Sequence, residues 1–201
     1  MQIYLIRHGK TKGNIERRYM GSTNENLCNI GISELKKINY PKVDYILCSP
    51  MKRCLETADI IYADANKLNY KEMELLKEID FGKFENKTYE ELRENKDYCL
   101  WLNSMGENGS TGESKTEFIN RCVFGFKNIV GKLLDLEDKK GSELSIALIV
   151  HGGTIMAILS KLAKIEREYY NWQVENAYFY TTNVNVKCFV NGYRFLDINI
   201  N

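Results

Sequence analysis

The sequence predicts an α/β protein with a largely parallel central sheet, because apolar runs of strand length alternate with stretches of helical periodicity, and two of those runs break into glycine. A chain of 201 residues that is 44% hydrophobic is long enough for one substantial core and short for two, so residues 1–201 are expected to form a single domain.

Each element follows from its own pattern. Ile3 to Ile6 reads as a first buried strand. Ile32, Leu35 and Ile38 have helical spacing after Gly31, and Val43 to Leu47 is a second short run of strand formers. Ser49-Pro50 is expected to open the next helix, with serine as N-cap, proline at the first helical position, and Cys54, Leu55, Ala58 and Ile61 as its inward stripe. Lys71 to Leu76 is a weaker strand candidate. Apolar residues recur at three and four from Thr88 to Asn103 and from Ser114 to Glu137, predicting two helices around a Gly/Ser-rich loop at Ser104 to Gly112. Ser145 to Val150 is the most apolar strand, and Gly152-Gly153 leads into a helix ending near Lys164. In the tail, Asn191-Gly192 predicts a two-residue hairpin between Val186–Val190 and Tyr193–Ile198.

Composition narrows the function. Lys plus Arg number 28 against 27 Asp plus Glu, so no long-range field draws nucleic acid or anionic lipid, and any anion site must be built locally. The six cysteines show no metal-ligand spacing and no disulfide framework, as reduced thiols would in a cytosolic chain. No apolar run approaches the ~18 residues of a membrane span. Because the first strand begins at Gln2, no signal peptide is expected, and the cytoplasm is the expected location.

Two histidines occur in the whole chain, and both stand where a buried strand gives way to glycine: Ile6-Arg7-His8-Gly9 and Val150-His151-Gly152-Gly153. Open α/β sheets bind ligands beyond the carboxyl ends of their strands, so His8 and His151 are expected to face one crevice. Arg7, Asn14 and Arg53 add planar donor forks and an amide suited to phosphate oxygens, while the helix opening after Gly153 presents free N–H groups.

These residues also fall into motifs. Leu5-Ile6-Arg7-His8-Gly9-Lys10-Thr11 with Asn14 resembles the opening motif of the histidine phosphatase superfamily, the group that contains cofactor-dependent phosphoglycerate mutase. Ser49-Pro50-Met51-Lys52-Arg53 with Thr57-Ala58 resembles its second motif, and Leu76-Lys77-Glu78 running into Phe81-Gly82 its acid loop. Gly112-Glu113-Ser114 with Arg121 resembles its mid-chain helix start, and His151-Gly152-Gly153 its last motif.

The resemblance implies a three-layer, phosphoglycerate mutase-like sandwich. It also implies His8 as nucleophile, Arg7, Asn14, Arg53, His151 and Gly152 as phosphate-binding residues, Glu78 as general acid and base, and no metal or cofactor. Without the motif Glu74, Asp80 and Glu85 compete with Glu78, and Glu113 reads equally as a first-turn carboxylate. The expected partner is a small phosphorylated metabolite. Compact length favours hydrolysis over mutase chemistry, and Asn14…Arg18-Tyr19-x-Gly21-x-Thr23 resembles the α-ribazole phosphatases, whose substrate is α-ribazole 5′-phosphate in cobalamin assembly. Broad sugar or nucleotide phosphatases, phosphoglycerate mutases and non-catalytic binders of phosphorylated ligands are the alternatives.

The chain departs from the family pattern at four places: Lys10 replaces an acidic residue or glutamine, Cys28 a threonine, Asn86 a glycine and Met156 an arginine. A cysteine-based phosphatase is disfavoured because only four residues separate Cys48 from Arg53. Tyr19, Phe81, Phe84 and Trp101 are expected to fill core rather than line a pocket.

Overall fold

A computed structural model of the protein describes residues 1–63 and 70–199. Six strands form one sheet: β1 (Gln2–Arg7), β2 (Tyr45–Cys48), β3 (Tyr70–Glu72), β4 (Ser145–Val150), β5 (Phe179–Val184) and β6 (Leu196–Asn199), in the order β3-β2-β4-β1-β5-β6. The first four run parallel; β5 lies antiparallel to β1 and to β6. β4 sits in the middle and is buried on both faces, which explains its unbroken apolar sequence.

Side chains of β4 alternate between two cores. Ile146, Leu148 and Val150 meet Phe126, Ile129 and Val130 of α6 (Lys115–Lys140) and Ile155, Ile158 and Leu159 of α7 (Gly152–Leu162). Ala147 and Ile149 face Cys54 and Ala58 of α3 (Lys52–Ile61), and α3 in turn packs on α2 (Asn29–Leu35). Helices thus cover both faces, giving three layers. Short α1 (Lys12–Ile15) follows β1, and α4 (Tyr89–Leu92) and α5 (Lys96–Asn103) lie in the segment between β3 and α6. There Tyr19, Phe81 and Trp101 pack on buried Phe84 and Tyr98 in a satellite core, so these aromatics fill space as expected.

Several expectations are corrected. Ser49-Pro50 does not open α3: its N-cap is Met51, which makes no side-chain cap bond, and Asn24 Oδ1 accepts from Lys52 N at 2.8 Å instead. The Ser49 hydroxyl is engaged elsewhere, as described below. The Thr88–Asn103 helix is two helices, because Asn95 caps a new one by accepting from Asp97 N and Tyr98 N. The Lys71–Leu76 candidate is a strand only through Glu72, followed by a 3₁₀ turn at Glu74–Leu76. The tail hairpin is absent. Val186–Val190 is helix α8, capped by Asn185, and Gly192 at φ +74 closes it: its N–H donates to Phe189 O and that of Tyr193 to Cys188 O. Asn191-Gly192 therefore stops a helix rather than turning a hairpin. The real antiparallel partner of β6 is β5, which the periodicity did not reveal.

Two departures from the family pattern find physical equivalents. Cys28 is the N-cap of α2, its sulfur accepting from Gly31 N at 3.4 Å, and Asn86 adopts φ +56, which asparagine tolerates better than most residues. Lys10 pairs with Glu34 at 2.7 Å, and Met156 packs against the larger core. No helix among the described residues is long and apolar enough to cross a membrane.

Candidate active site

The carboxyl ends of β1, β2 and β4 deliver His8, Ser49 and His151 to one point. Parallel register pairs Arg7 with Val150, and His8 N donates to Val150 O at 3.0 Å, so the two histidines follow their strands side by side. Their rings lie 5.2 Å apart between centroids, and both are buried.

His8 Nδ1 is 2.7 Å from Gly9 O. A carbonyl can only accept, so Nδ1 carries the proton and Nε2 keeps its lone pair. Burial, reinforced by the charges of Arg53 and Arg7, holds the imidazole well below its ordinary pKa. The ring is therefore neutral at physiological pH, the state a nucleophile needs. Gly9 itself is anchored by Thr57 Oγ1, which accepts its N–H at 3.0 Å.

His151 is more tightly held. Arg53 Nε donates to its Nδ1 at 3.2 Å, which places its proton on Nε2, 2.8 Å from Ser49 Oγ. This is what engages the serine predicted as a helix cap. Burial first, then Arg53, depresses the pKa of this imidazole also. With both nitrogens taken, a direct bond from His151 to a phosphate requires exchange of one of these partners.

Arg53, only 1% exposed, is fixed by three backbone carbonyls: Nη1 donates to Thr23 O at 2.8 Å, and Nη2 to Gly21 O at 2.9 Å and Met20 O at 3.4 Å. Those carbonyls are aimed by Glu85, whose carboxylate accepts from the N–H groups of Gly21, Ser22, Thr23 and Phe81 and from Thr23 Oγ1. Glu85, a rival for the acid role on sequence, is thereby committed to building the loop. Arg7 donates through Nη1 to Val174 O at 2.7 Å, while its buried Nε has no partner. A buried guanidinium N–H without a partner, on an arginine whose charge bears on His8, is a group able to donate to an anionic oxygen. Gly152 makes room for it, since a Cβ there would sit 3.2 Å from Arg7 Cζ and Nε.

Asn14 also reaches the site. Its Oδ1 accepts from Thr11 N at 3.2 Å and from Asn176 Nδ2 at 3.3 Å, leaving Nδ2 as the group able to serve a ligand. Asn176 Nδ2 also donates to His8 O at 3.0 Å. Sequence reading missed this residue, which lies in a loop with no motif to flag it.

Glu78 stands on the opposite side of the arginines, following the 3₁₀ turn at Glu74–Leu76. Ile79 N donates to its Oε1 at 3.0 Å and Gly153 N to its Oε2 at 2.9 Å. Burial pushes its pKa up, and these two donors and the charges of Arg53 and Arg7 only partly oppose it. Its rivals lie otherwise: Glu74 pairs with Lys77 at 2.6 Å, and Asp80 Oδ1 accepts from Gly82 N and Ser22 Oγ. Glu113 does not cap α6, a role taken by Ser114; it grips Arg121 at 2.6 Å. Among the described residues, no three His, Cys, Asp or Glu side chains converge as metal ligands would. Cys48 is buried in the α3-side core.

The carboxyl ends of the parallel strands thus gather two buried imidazoles, two arginines and a buried carboxyl of raised pKa into one site. The chain belongs to the histidine phosphatase superfamily (branch 1), whose family model matches residues 3–191. It is 30% identical over 171 residues to a protein named probable phosphoglycerate mutase GpmB of Yersinia pestis (strain Pestoides F), covering 81% of this chain and 74% of that one. Among solved structures, the phosphoserine phosphatase of Entamoeba histolytica, in complex with 3-phosphoglyceric acid, is 30% identical with a TM-score of 0.69, covering 100% of this chain and 97% of that one. The α-ribazole phosphatase of Shigella flexneri superposes with a TM-score of 0.79 at 22% identity, covering 98% of this chain and 95% of that one, a likeness of fold.

Proposed function

We propose that this protein is a metal-independent phosphomonoesterase that passes the phosphoryl group of a small metabolite through His8. The observation that carries this reading is the locked tautomer of His8: Nδ1 is spent on Gly9 O, so Nε2 is a buried, neutral nucleophile on which the charges of Arg53 and Arg7 both bear. In the first step the Nε2 lone pair attacks phosphorus, the ester P–O bond breaks, and Glu78 gives its proton to the departing oxygen. In the second, Glu78 takes a proton from water, the water oxygen attacks phosphorus, and the P–N bond returns its electrons to His8. Arg7 and Arg53 would neutralise charge on the equatorial oxygens, work done by metal ions in other phosphotransferases, and Asn14 Nδ2 would donate to them. His151 holds Arg53 in place, and Gly152 leaves space for Arg7.

For substrate we favour α-ribazole 5′-phosphate. Beyond Glu78 a crevice of 910 Å³ is bordered by Asp80, Glu117 and two ion pairs, Lys77–Glu74 and Arg121–Glu113. A leaving alcohol that carries a carboxylate, as in the phosphoglycerates, would meet carboxylates there and cations already paired. The neutral leaving alcohol of α-ribazole phosphate avoids that repulsion. Phosphoserine is the second reading, favoured by the 30% identity to the amoebal phosphatase and by an ammonium that offsets its carboxylate in an acidic crevice.

The test is phosphate release, with EDTA present, from α-ribazole 5′-phosphate, phosphoserine, 3-phosphoglycerate and several sugar and nucleoside monophosphates, wild type beside His8→Ala. Preference for the first, lost in His8→Ala, supports the full reading, and broad weak activity keeps the chemistry and discards the substrate. Full activity of His8→Ala would end it. Tight phosphate-ester binding without turnover would identify a binding domain instead.

A further inference from the structure

Arg121 stands two turns into α6, and both of its terminal nitrogens donate to the turn that carries Glu78. Nη1 donates to Leu75 O at 2.9 Å and Lys77 O at 3.1 Å, and Nη2 to Glu78 O at 3.4 Å. Nε and Nη2 also grip both oxygens of Glu113, at 2.7 and 2.6 Å. Glu113 closes the ring from the other side, because its own N–H donates to Asp80 O at 2.9 Å. Residues 75–80 are thus tied at four carbonyls by one ion pair. A flexible turn could not hold a carboxyl to the fraction of an ångström that proton transfer demands.

We propose that Arg121, braced by Glu113, is a positioning residue for the general acid: it fixes the backbone from which Glu78 reaches the leaving oxygen. This rests on the phosphomonoesterase reading above. Lysine cannot replace it, since a single ammonium has no planar fork to span Glu113 and three carbonyls at once. A residue that merely stabilised the fold would slow all substrates alike. One that positions the acid slows the first step, read as kcat/KM, only for those esters whose leaving groups need a proton; the later water-activating step is common to all esters.

The experiment measures kcat and KM of Arg121→Lys, Arg121→Met, Glu113→Gln and Glu78→Gln, and of the Glu78→Gln/Arg121→Lys double variant, on one alkyl phosphate and on 4-nitrophenyl phosphate. The expected result is a loss of about 10- to 10²-fold in alkyl kcat/KM for the Arg121 variants, with kcat/KM of the aryl ester within about threefold of wild type. Adding Arg121→Lys to Glu78→Gln should cost less than about threefold more, because the acid is already gone. Equal losses of kcat/KM on both esters, or fully multiplicative losses in the double variant, overturn the proposal. Should Arg121→Met fail to fold, Arg121→Lys and Glu113→Gln carry the same comparison. If Glu78→Gln itself lowers kcat/KM of both esters equally, the acid assignment fails and this inference with it; if only Glu78→Gln is selective, the inference alone fails.

Discussion

Gly153 donates its N–H to Glu78 Oε2 at 2.9 Å, and a Cβ on Gly153 would lie 2.2 Å from Glu78 Oε1. One residue therefore both binds the carboxyl and leaves the space it occupies. Gly153→Ala forces the carboxyl to move while adding a good helix former to the first turn of α7. We expect alkyl phosphate kcat to fall roughly 10- to 10²-fold with thermal stability within about 1 kcal/mol of wild type. Turnover and melting of the purified variant check this; unchanged kcat would mean Glu78 does not act from this position.

The pH–rate profile follows from two opposite shifts. Glu78 must begin protonated, so rate falls as pH rises through its raised pKa. His8 must be neutral, so rate falls on the acid side only below its depressed pKa. With substrate ionisation measured separately, kcat/KM for an alkyl ester should show no acid-side limb at the ordinary imidazole value of about 6.5. Glu78→Gln should erase the alkaline limb alone.

Stability should respond to acid earlier than carboxylates would cause. His8 and His151 have folded pKa values below their unfolded ones, so between the two values the unfolded chain binds more protons. Stability is complete above the unfolded value near 6.5 and is lost as pH falls from there, at up to about 1.4 kcal/mol per pH unit per histidine. Glu78, with its pKa raised, acts in the other direction: its contribution is fully present below the unfolded value near 4.3 and is lost as pH rises through the folded one. Denaturant melts between about pH 7.5 and 5 should show the histidine slope, and His8→Gln should reduce it.

Glu85 accepts four hydrogen bonds from the loop whose carbonyls hold Arg53, and a fifth from Phe81 N. Glu85→Ala strands those donors and is expected to destabilise the protein by roughly 2 to 4 kcal/mol. Inhibition by inorganic phosphate should weaken in parallel as Arg53 loses its support. Retained phosphate affinity would show that Arg53 holds its position without the loop.

How much of this was legible depends on where the signal lay. Strand-to-glycine junctions placed His8 and His151 together because parallel strands end on the same side. The motif selected Glu78 over Glu74, Asp80 and Glu85, a choice that charge alone could not make. What escaped depended on contacts distant in sequence. Asn24 capping α3 freed Ser49 for His151, and Asn176 bonded to His8 O from 168 positions away. Asn191-Gly192 misled for a different reason: a left-handed glycine ends a helix as readily as it turns a hairpin, and Asn185 had already started the helix.

Arg53 is bound by Thr23, Gly21 and Met20 carbonyls and by His151 before any ligand contact is considered. A free arginine surrenders about 2 kcal/mol of rotamer freedom when it is ordered. Here folding has already absorbed that loss, so an incoming phosphate meets a charge that is in place and has nothing further to immobilise. The same arrangement makes the guanidinium a poor hinge: release of product must come from the phosphate leaving Arg53, not from Arg53 swinging away.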